Sequence, residues 1–349
     1  MKKRTVINLI RYHEDHNEAA FRSEAAEIAR DFDASGDEQL AEYIMALISD
    51  ANAFVPQSAE EGGTFFDKMD PSSTPLPLPQ VISDDVTGVC NAIAHNAGVN
   101  KFLFQGPPGT GKTESARQIA RITARDLYRV DFNLVVDSKL GQTAKNIGKL
   151  FREINSLRLP DKAIILFDEI DALALDRVNQ QDVREMGRAT SALLKELDGL
   201  NEQVVLIATT NLYKELDKAL VRRFDATIDF GRYDREDLID ISEVMLSGLL
   251  QQFKGSGRNM RLFRKIISQM AEVPYPGDLR NMLKSALAFS NPDEPYDYLR
   301  RVYKQACPSS SVDNLAELRS QGFTVREMEA LSGVSKSTIS RELKETAYE

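Results

Sequence analysis

The sequence predicts an α/β fold. A parallel sheet of five strands forms its core, and helical segments precede and follow this core along the chain. Apolar runs alternate with segments of helical periodicity, as a doubly wound sheet requires. One run, at 163–167, is apolar at every position, which is typical of a strand buried on both faces. A glycine-rich stretch follows the first apolar run. The strands are expected at 101–105, 127–132, 163–168, 204–210 and 226–230.

The glycine-rich stretch reads GPPGTGKT and leads from a strand into a helix. In that setting, consecutive backbone N–H groups and the positive end of the helix form a cradle for polyphosphate. Lys112 can reach the β- and γ-phosphates, and the Thr113 hydroxyl can bind Mg²⁺. The stretch therefore predicts a P-loop that binds a nucleoside triphosphate, ATP, with Mg²⁺. The expected contacts are Gly106, Pro107, Pro108, Gly109, Thr110, Gly111, Lys112 and Thr113.

Polar side chains end two further strands of the predicted sheet. Asp168 ends the third strand and is placed to complete the Mg²⁺ shell. Glu169, the next residue, could polarise a water molecule for attack on the γ-phosphate. Asn211 follows the fourth strand, where a neutral amide could align that water without competing for the metal. These residues predict hydrolysis as well as binding.

Two arginines, Arg222 and Arg223, stand beside Phe224. A pair of this kind, taken alone, is usually a solvated surface feature. Here it follows Asn211 by one short helix, and we therefore interpret the pair as part of the catalytic apparatus.

These motifs, in this order, resemble those of the AAA ATPases over roughly residues 80–290. The resemblance implies a homo-oligomer, expected to be a hexamer, in which Arg222 and Arg223 act as arginine fingers on a neighbour's nucleotide. It also implies that Arg280 contacts nucleotide from a helical lid. Many ring-forming members grip a polypeptide with an aromatic residue in a loop that corresponds to 137–143. No aromatic is present there, which leaves threading of a polypeptide open.

Together with the Gly- and Pro-rich stretches that interrupt the helical and strand patterns, the resemblance divides the chain into five segments. These are a helical docking domain at 1–55, a Pro/Gly-rich linker at 56–79, the nucleotide-binding core at 80–232, the lid at 233–308 and a tail at 309–349. The first segment is expected to hold three amphipathic helices. Residues 1–60 carry six basic and twelve acidic residues, a net charge of −6. We interpret this acidic end as a docking module for a partner, with a simple packing extension of the core as the alternative.

The tail resembles a helix-turn-helix. Thr324 with Glu327 forms a capping box pattern, Gly333 can close that helix, and Ser335 can cap the next one. Glu329 stands where such motifs normally need a small residue, and residues 312–349 carry a net charge of −2. Contact with duplex DNA and contact with a protein therefore remain two open interpretations. The residues expected to face DNA are Lys336, Ser337, Thr338 and Arg341.

Composition narrows the class of protein. A net charge of −9 argues against general coating of nucleic acid and against a basic membrane surface. The sequence has no apolar stretch near 18 residues and no signal-peptide pattern, so a cytoplasmic protein without a membrane partner is expected. Cys90 and Cys307 show no metal-ligand spacing.

The acidic helical end occurs together with NKFLFQGPPGTGKT at 100–113, DSKLGQT at 137–143 and VREMGR at 183–188. In this combination, which spans most of its length, the chain also resembles small bacterial AAA ATPases that are encoded beside a subtilisin-like serine protease. Such two-gene systems are linked to phage defence and plasmid exclusion. The resemblance implies an oligomeric ATPase that performs conformational work on a protein partner within a defence pair. The competing hypothesis is a DNA-targeted ATP switch, or helper ATPase, that is loaded through the tail. A scaffold that barely hydrolyses ATP is disfavoured because Glu169, Asn211 and both arginines are present.

Overall fold

The computed structural model divides the chain into two compact units, residues 1–61 and 62–349. It describes residues 3–14, 18–34, 41, 44–45, 63–70, 77–95, 98–137, 141–173, 180–253 and 255–345. In the first unit, helices Lys3–Glu14 and Glu18–Ala34 pack against each other. The third predicted helix, with Leu40, Tyr43, Ile44 and Leu47, lies outside the described residues except at positions 41, 44 and 45.

The second unit is built on a six-stranded sheet. Its strands, β1 to β6 in chain order, are Phe66–Met69, Lys101–Gln105, Asp126–Val130, Ala163–Phe167, Val205–Thr210 and Ala226–Asp229. Their order in the sheet is β1-β3-β4-β5-β2-β6. Strands β2 to β6 pair in parallel, and β1 pairs with β3 in the antiparallel direction. The five predicted strands correspond to β2–β6.

Strand β1, which was not predicted, lies inside the segment that the sequence predicts to be a linker, so the sheet has one antiparallel strand more than the five parallel strands expected. Phe66 is buried against the sheet, whereas Asp67 and Lys68 are exposed. Lys68 pairs with Asp126 of the neighbouring strand, with its Nζ 3.4 Å from Oδ1. Such a short edge strand with one buried position has too little periodicity to stand out beside the Gly and Pro residues of its surroundings.

Helices cover both faces of the sheet. On one face the helices at 80–95 and 112–122 enclose an apolar cluster with Phe102, Phe104 and Ile164. On the other face the helices at 142–155 and 180–198 pack over Leu103, Ile165 and Phe167. The helix bounds in this part are Gln80–His95, Lys112–Ile122, Phe132–Val135, Gln142–Asn155, Gln180–Asp198 and Lys218–Val221. Of residues 137–143, which the resemblance aligns with the polypeptide-gripping loop, positions 138–140 are outside the described residues.

The C-terminal part is helical and has one apolar core, which runs from Leu238 to Ile339. Its helix bounds are Arg235–Leu250, Met260–Ile267, Pro276–Ala288, Asp297–Ala306, Leu315–Ser320, Val325–Ser332 and Lys336–Glu345. The core is continuous across the predicted lid–tail boundary at residue 308. Lys265, in the segment predicted to be a lid, pairs with buried Glu327 in the predicted tail, with Nζ 2.9 Å from Oε2. Among the described helices none combines the length and apolarity needed to cross a bilayer.

Candidate active site

The glycine-rich loop joins the carboxyl end of β2 to helix Lys112–Ile122. Gly106, Gly109 and Gly111 have φ angles of 143°, 77° and 93°, a region that favours glycine. A Cβ at Gly106 would lie 3.0 Å from the backbone N of Gly231. The sequence folds into this loop because glycine alone adopts these angles without strain. Gly111, Lys112 and Thr113, at the start of the helix, line a cavity.

The side chain of Lys112 is held at the loop by three acceptors. Its Nζ donates to the carbonyl oxygens of Gly106 and Pro107 at 2.7 and 2.8 Å, and to Oδ1 of Asn211 at 2.7 Å. Burial lowers the pKa of Lys112 to about 8, although nearby carboxylates act in the opposite direction. The amine is therefore placed beside the loop, where the oxygens of a bound phosphate group would replace its present acceptors.

Asp168 joins two strands and the loop through one oxygen atom. Oδ1 of Asp168 accepts hydrogen bonds from the hydroxyls of Thr113 and Thr209, both at 2.8 Å. A hydroxyl beside a carboxylate is the oxygen donor set that Mg²⁺ prefers, so the pair Thr113 and Asp168 fits the metal. Thr209 was not singled out in the sequence. Its signal is a pair of threonines, Thr209 and Thr210, that ends an otherwise apolar strand.

Glu169 adopts a left-handed backbone conformation, with φ of 56°, that is uncommon for a residue other than glycine. Its N–H donates to the Thr209 hydroxyl at 2.9 Å, which holds the turn. The side chain is exposed to the cavity. Strained backbone of this kind is found where a functional side chain must be presented in one direction.

Asp171 is a buried carboxylate behind Asn211 that the sequence analysis assigned no role. Its side chain is 5% exposed, and Oδ2 accepts the Asn211 N–H at 3.4 Å. Its other oxygen has no partner among the described residues. Asp171 is also the strongest of the carboxylates that oppose the fall in the pKa of Lys112.

One cavity of about 370 Å³ brings most of the predicted residues together. Those that line it are Pro108, Gly109, Thr110, Gly111, Lys112, Thr113, Asp168, Glu169, Asn211 and Arg280. It is also lined by Glu114, Arg117, Thr209, Pro276 and Gly277, to which the sequence analysis gave no individual role. Gly106 and Pro107 contribute through their carbonyl oxygens to Lys112.

The helical C-terminal part closes one side of the cavity. Helix Pro276–Ala288 starts at the loop, where the Gly277 N–H donates to the Gly109 carbonyl at 2.8 Å. Tyr233 donates its hydroxyl to the Thr110 carbonyl at 2.7 Å, and burial raises the pKa of Tyr233. Arg280 lies one turn into the helix. Gly277 and Tyr233 escape sequence analysis because their partners are more than 100 residues away.

The two arginines lie outside this cavity. Arg223 forms a bidentate ion pair with Asp198, with N···O distances of 3.2 and 3.3 Å. Arg222 is exposed. The segment continues to Asp225, whose Oδ2 accepts the N–H of Lys101 at 2.9 Å at the amino end of β2. The arginines are thus anchored at the end of β2 opposite to the glycine-rich loop.

The predicted DNA-facing residues lie on the last described helix. Arg341 and Ser337 are exposed, and Thr338 is half-buried. Lys336 pairs with Glu329, with Nζ 3.1 Å from Oε2. Glu329 therefore forms an ion pair with the residue that begins the next helix. The capping box of Thr324 and Glu327, inferred from the sequence, is present.

The residues that form most of the sheet and its glycine-rich loop match a known protein family. Residues 102–232 match the model of the ATPase family associated with various cellular activities (AAA). An uncharacterised AAA family ATPase, y4kL of Sinorhizobium fredii, is 39% identical over 133 residues, which are 38% of this chain and 39% of the relative. A putative 26S proteasome regulatory subunit homologue of Methanothermobacter thermautotrophicus is 37% identical over 137 residues, 39% and 36% of the two chains.

The fold comparison covers more of the chain. The crystal structure of the FIGL-1 AAA domain in complex with ADP aligns with a TM-score of 0.52 at 17% identity, over 74% of this chain and 91% of that one. This likeness shows the shared fold. The chain spans about two fifths of the length of the two curated relatives described above.

Proposed function

We propose that this chain, whose residues 102–232 match the AAA family model, is a Mg²⁺-dependent ATPase that works as a homo-oligomer and acts on a protein partner. The observation that carries the proposal is the meeting of Lys112, Thr113, Asp168, Glu169 and Asn211 around one cavity. Each of these side chains has a separate task in phosphoryl transfer to water.

In the proposed reaction the loop N–H groups and Lys112 hold the phosphates. Thr113 and Asp168 would hold Mg²⁺, which neutralises charge on the β- and γ-phosphates when bound. Glu169 accepts a proton from water as the water oxygen bonds to the γ-phosphorus. The bond from that phosphorus to the β–γ bridging oxygen breaks, and ADP and phosphate result. Asn211 orients the water.

The position of the arginines supports a site shared between subunits. The arginine-bearing segment is anchored at Lys101, whereas the loop begins after Gln105. Four residues of strand separate the two ends by roughly 13 Å, at about 3.3 Å per residue. A guanidinium held at that end is badly placed for the γ-phosphate of its own chain. A neighbouring copy in a ring, expected to be a hexamer, could receive it.

Mixing two inactive variants tests this proposal. Glu169→Gln and Arg222→Ala should each abolish ATP turnover by the full chain. A 1:1 mixture should recover about one quarter of wild-type turnover, because a random ring pairs an intact Glu169 with an intact neighbouring Arg222 at that frequency. Arg158→Ala, at an exposed arginine outside the site, is the control and should keep full activity. Absence of recovery in mixed oligomers of normal size contradicts a shared site.

The protein partner is proposed from likeness. The chain resembles small bacterial ATPases paired with a subtilisin-like serine protease in anti-phage systems, and one relative is named a proteasome regulatory subunit homologue. Both point to work on proteins beside a protease. Casein or the product of an adjacent protease gene should then raise ATP turnover, whereas duplex DNA should leave it unchanged.

A DNA-targeted switch is the second candidate. The exposure of Ser337 and Arg341 on the last described helix favours it, while the Lys336–Glu329 pair weighs against it. Under this alternative duplex DNA stimulates turnover, and Arg341→Ala weakens retention of the full chain on DNA in a salt-dependent manner.

A further inference from the structure

The guanidinium of Arg223 is held by three hydrogen bonds within its own chain. Nε lies 3.2 Å from Oδ1 of Asp198, and Nη2 lies 3.3 Å from Oδ2. Nη1 donates to the carbonyl oxygen of Ala219 at 3.2 Å. All three nitrogens therefore have an acceptor, in the planar geometry that makes arginine–carboxylate pairs directional. Asp198 is the last residue of helix Gln180–Asp198.

The two residues that follow are also fixed. Phe224 is 8% exposed and belongs to the apolar cluster beneath the sheet. Asp225 accepts the N–H groups of Asn100 and Lys101, each at 2.9 Å, and its own N–H donates to the Lys101 carbonyl at 2.8 Å. The segment is therefore tied to the core on its C-terminal side.

Arg222 differs from its neighbours. Its N–H donates to the Lys218 carbonyl at 3.2 Å, so its backbone is held by helix Lys218–Val221. Its side chain is exposed and makes no hydrogen bond or ion pair with any residue that the structure describes. Of the side chains at 222–225, it alone is unengaged within the described part of the chain.

We propose that the two arginines have different roles in the shared site. Arg222 reaches the nucleotide of the neighbouring copy. Arg223 is a positioning residue that, with Asp198, holds the segment against the end of helix Gln180–Asp198 and so fixes the direction of Arg222. The inference rests on the proposed function, since it assigns parts within that site.

Reversal of the charge pair tests the assignment in the full chain. Arg223→Ala should lower kcat several-fold, and Asp198→Asn should lower it to a similar extent. The double variant Asp198→Arg/Arg223→Asp should recover most of the lost kcat, because the ion pair is rebuilt with its charges exchanged. A carboxylate at position 223 cannot stabilise a phosphoryl group, so recovery excludes direct contact by that residue. Arg222→Ala should lower kcat by about a thousandfold or more, as expected for an arginine finger.

The inference is overturned if the reversed pair folds, judged by circular dichroism and by oligomer size, yet has no more activity than Arg223→Ala. Where the reversed pair does not fold, the single variants decide. Equal losses in Asp198→Asn and Arg223→Ala support a positioning pair, whereas wild-type turnover in Asp198→Asn with a hundredfold loss in Arg223→Ala rejects it. Wild-type turnover of Arg222→Ala oligomers would instead reject the shared site itself, whatever the pair does.

Discussion

The Nζ of Lys112 lies 2.7 Å from Oδ1 of Asn211, a residue 99 positions further along the chain. The bond connects the loop after β2 with the residue that follows β5, and these two strands are neighbours in the sheet. The lysine proposed to bind phosphate and the residue proposed to orient water are thus in direct contact. Binding of a phosphate group would exchange one partner of Lys112 for another.

Removal of the amine tests the phosphate-binding role of Lys112. Lys112→Met should weaken the binding of ATP at least about tenfold, because the phosphates lose their charged donor in a partly buried site. Titration with a fluorescent ATP analogue measures this. Lys162→Met, at an exposed lysine outside the cavity, should bind like the wild type. Unchanged affinity in Lys112→Met would place the nucleotide elsewhere.

The left-handed backbone at Glu169 gives a second prediction. Glu169→Gly and Glu169→Ala both lose the carboxylate and should both abolish hydrolysis. The glycine variant should be more stable than the alanine variant by about 1 kcal/mol, because only glycine adopts a φ of 56° without strain. Urea denaturation of the two variants gives this difference. Equal stability would show that the turn relaxes in solution.

A methyl group at Gly277 should disturb the contact between helix Pro276–Ala288 and the glycine-rich loop. Its Cβ would lie 2.8 Å from the Cα of Gly109, closer than such atoms approach. Gly277→Ala should therefore weaken ATP binding and lower the melting temperature. At Gly248, in helix Arg235–Leu250, a methyl group would meet no atom of the described residues within 4 Å. Gly248→Ala should raise stability by about 0.5–1 kcal/mol.

The Lys265–Glu327 pair gives a pH prediction. Burial raises the pKa of Glu327, but hydrogen bonds from Thr324 and Lys265 outweigh it and bring the pKa below its ordinary value of 4.5. The ionised carboxylate therefore stabilises the folded state above pH 4.5, and this stabilisation is lost as the pH falls toward the lower, folded-state pKa. Glu327→Gln should cost about 1–3 kcal/mol at pH 7. The cost should shrink at low pH in urea denaturation, and a cost independent of pH would contradict the pairing.

Much of the candidate site was predicted from short stretches of the sequence. The loop at 106–113 and the acids at 168 and 169 depend on glycine positions and on the ends of apolar runs, which are readable along the chain. Strand β1 escaped prediction because its one buried position gives no periodicity. The continuous core of lid and tail escaped because apolar residues far apart in sequence pack together.

The arginines show where reading along the chain stops. Arg222 and Arg223 are adjacent residues of the same type, so the sequence gives no basis for assigning them different roles. Only the packing of helix Gln180–Asp198 beside their segment gives Arg223 a carboxylate partner and leaves Arg222 exposed.

By itself, the sequence determined the chemistry proposed for the cavity, because the predicted phosphate cradle and metal-binding oxygens follow from short stretches whose backbone is set by glycine and by strand ends. The tertiary structure alone decided that Asp168 contacts Thr209, that Lys112 contacts Asn211 and which arginine is held. Those contacts join residues far apart in the chain, and the order of the strands brings them together.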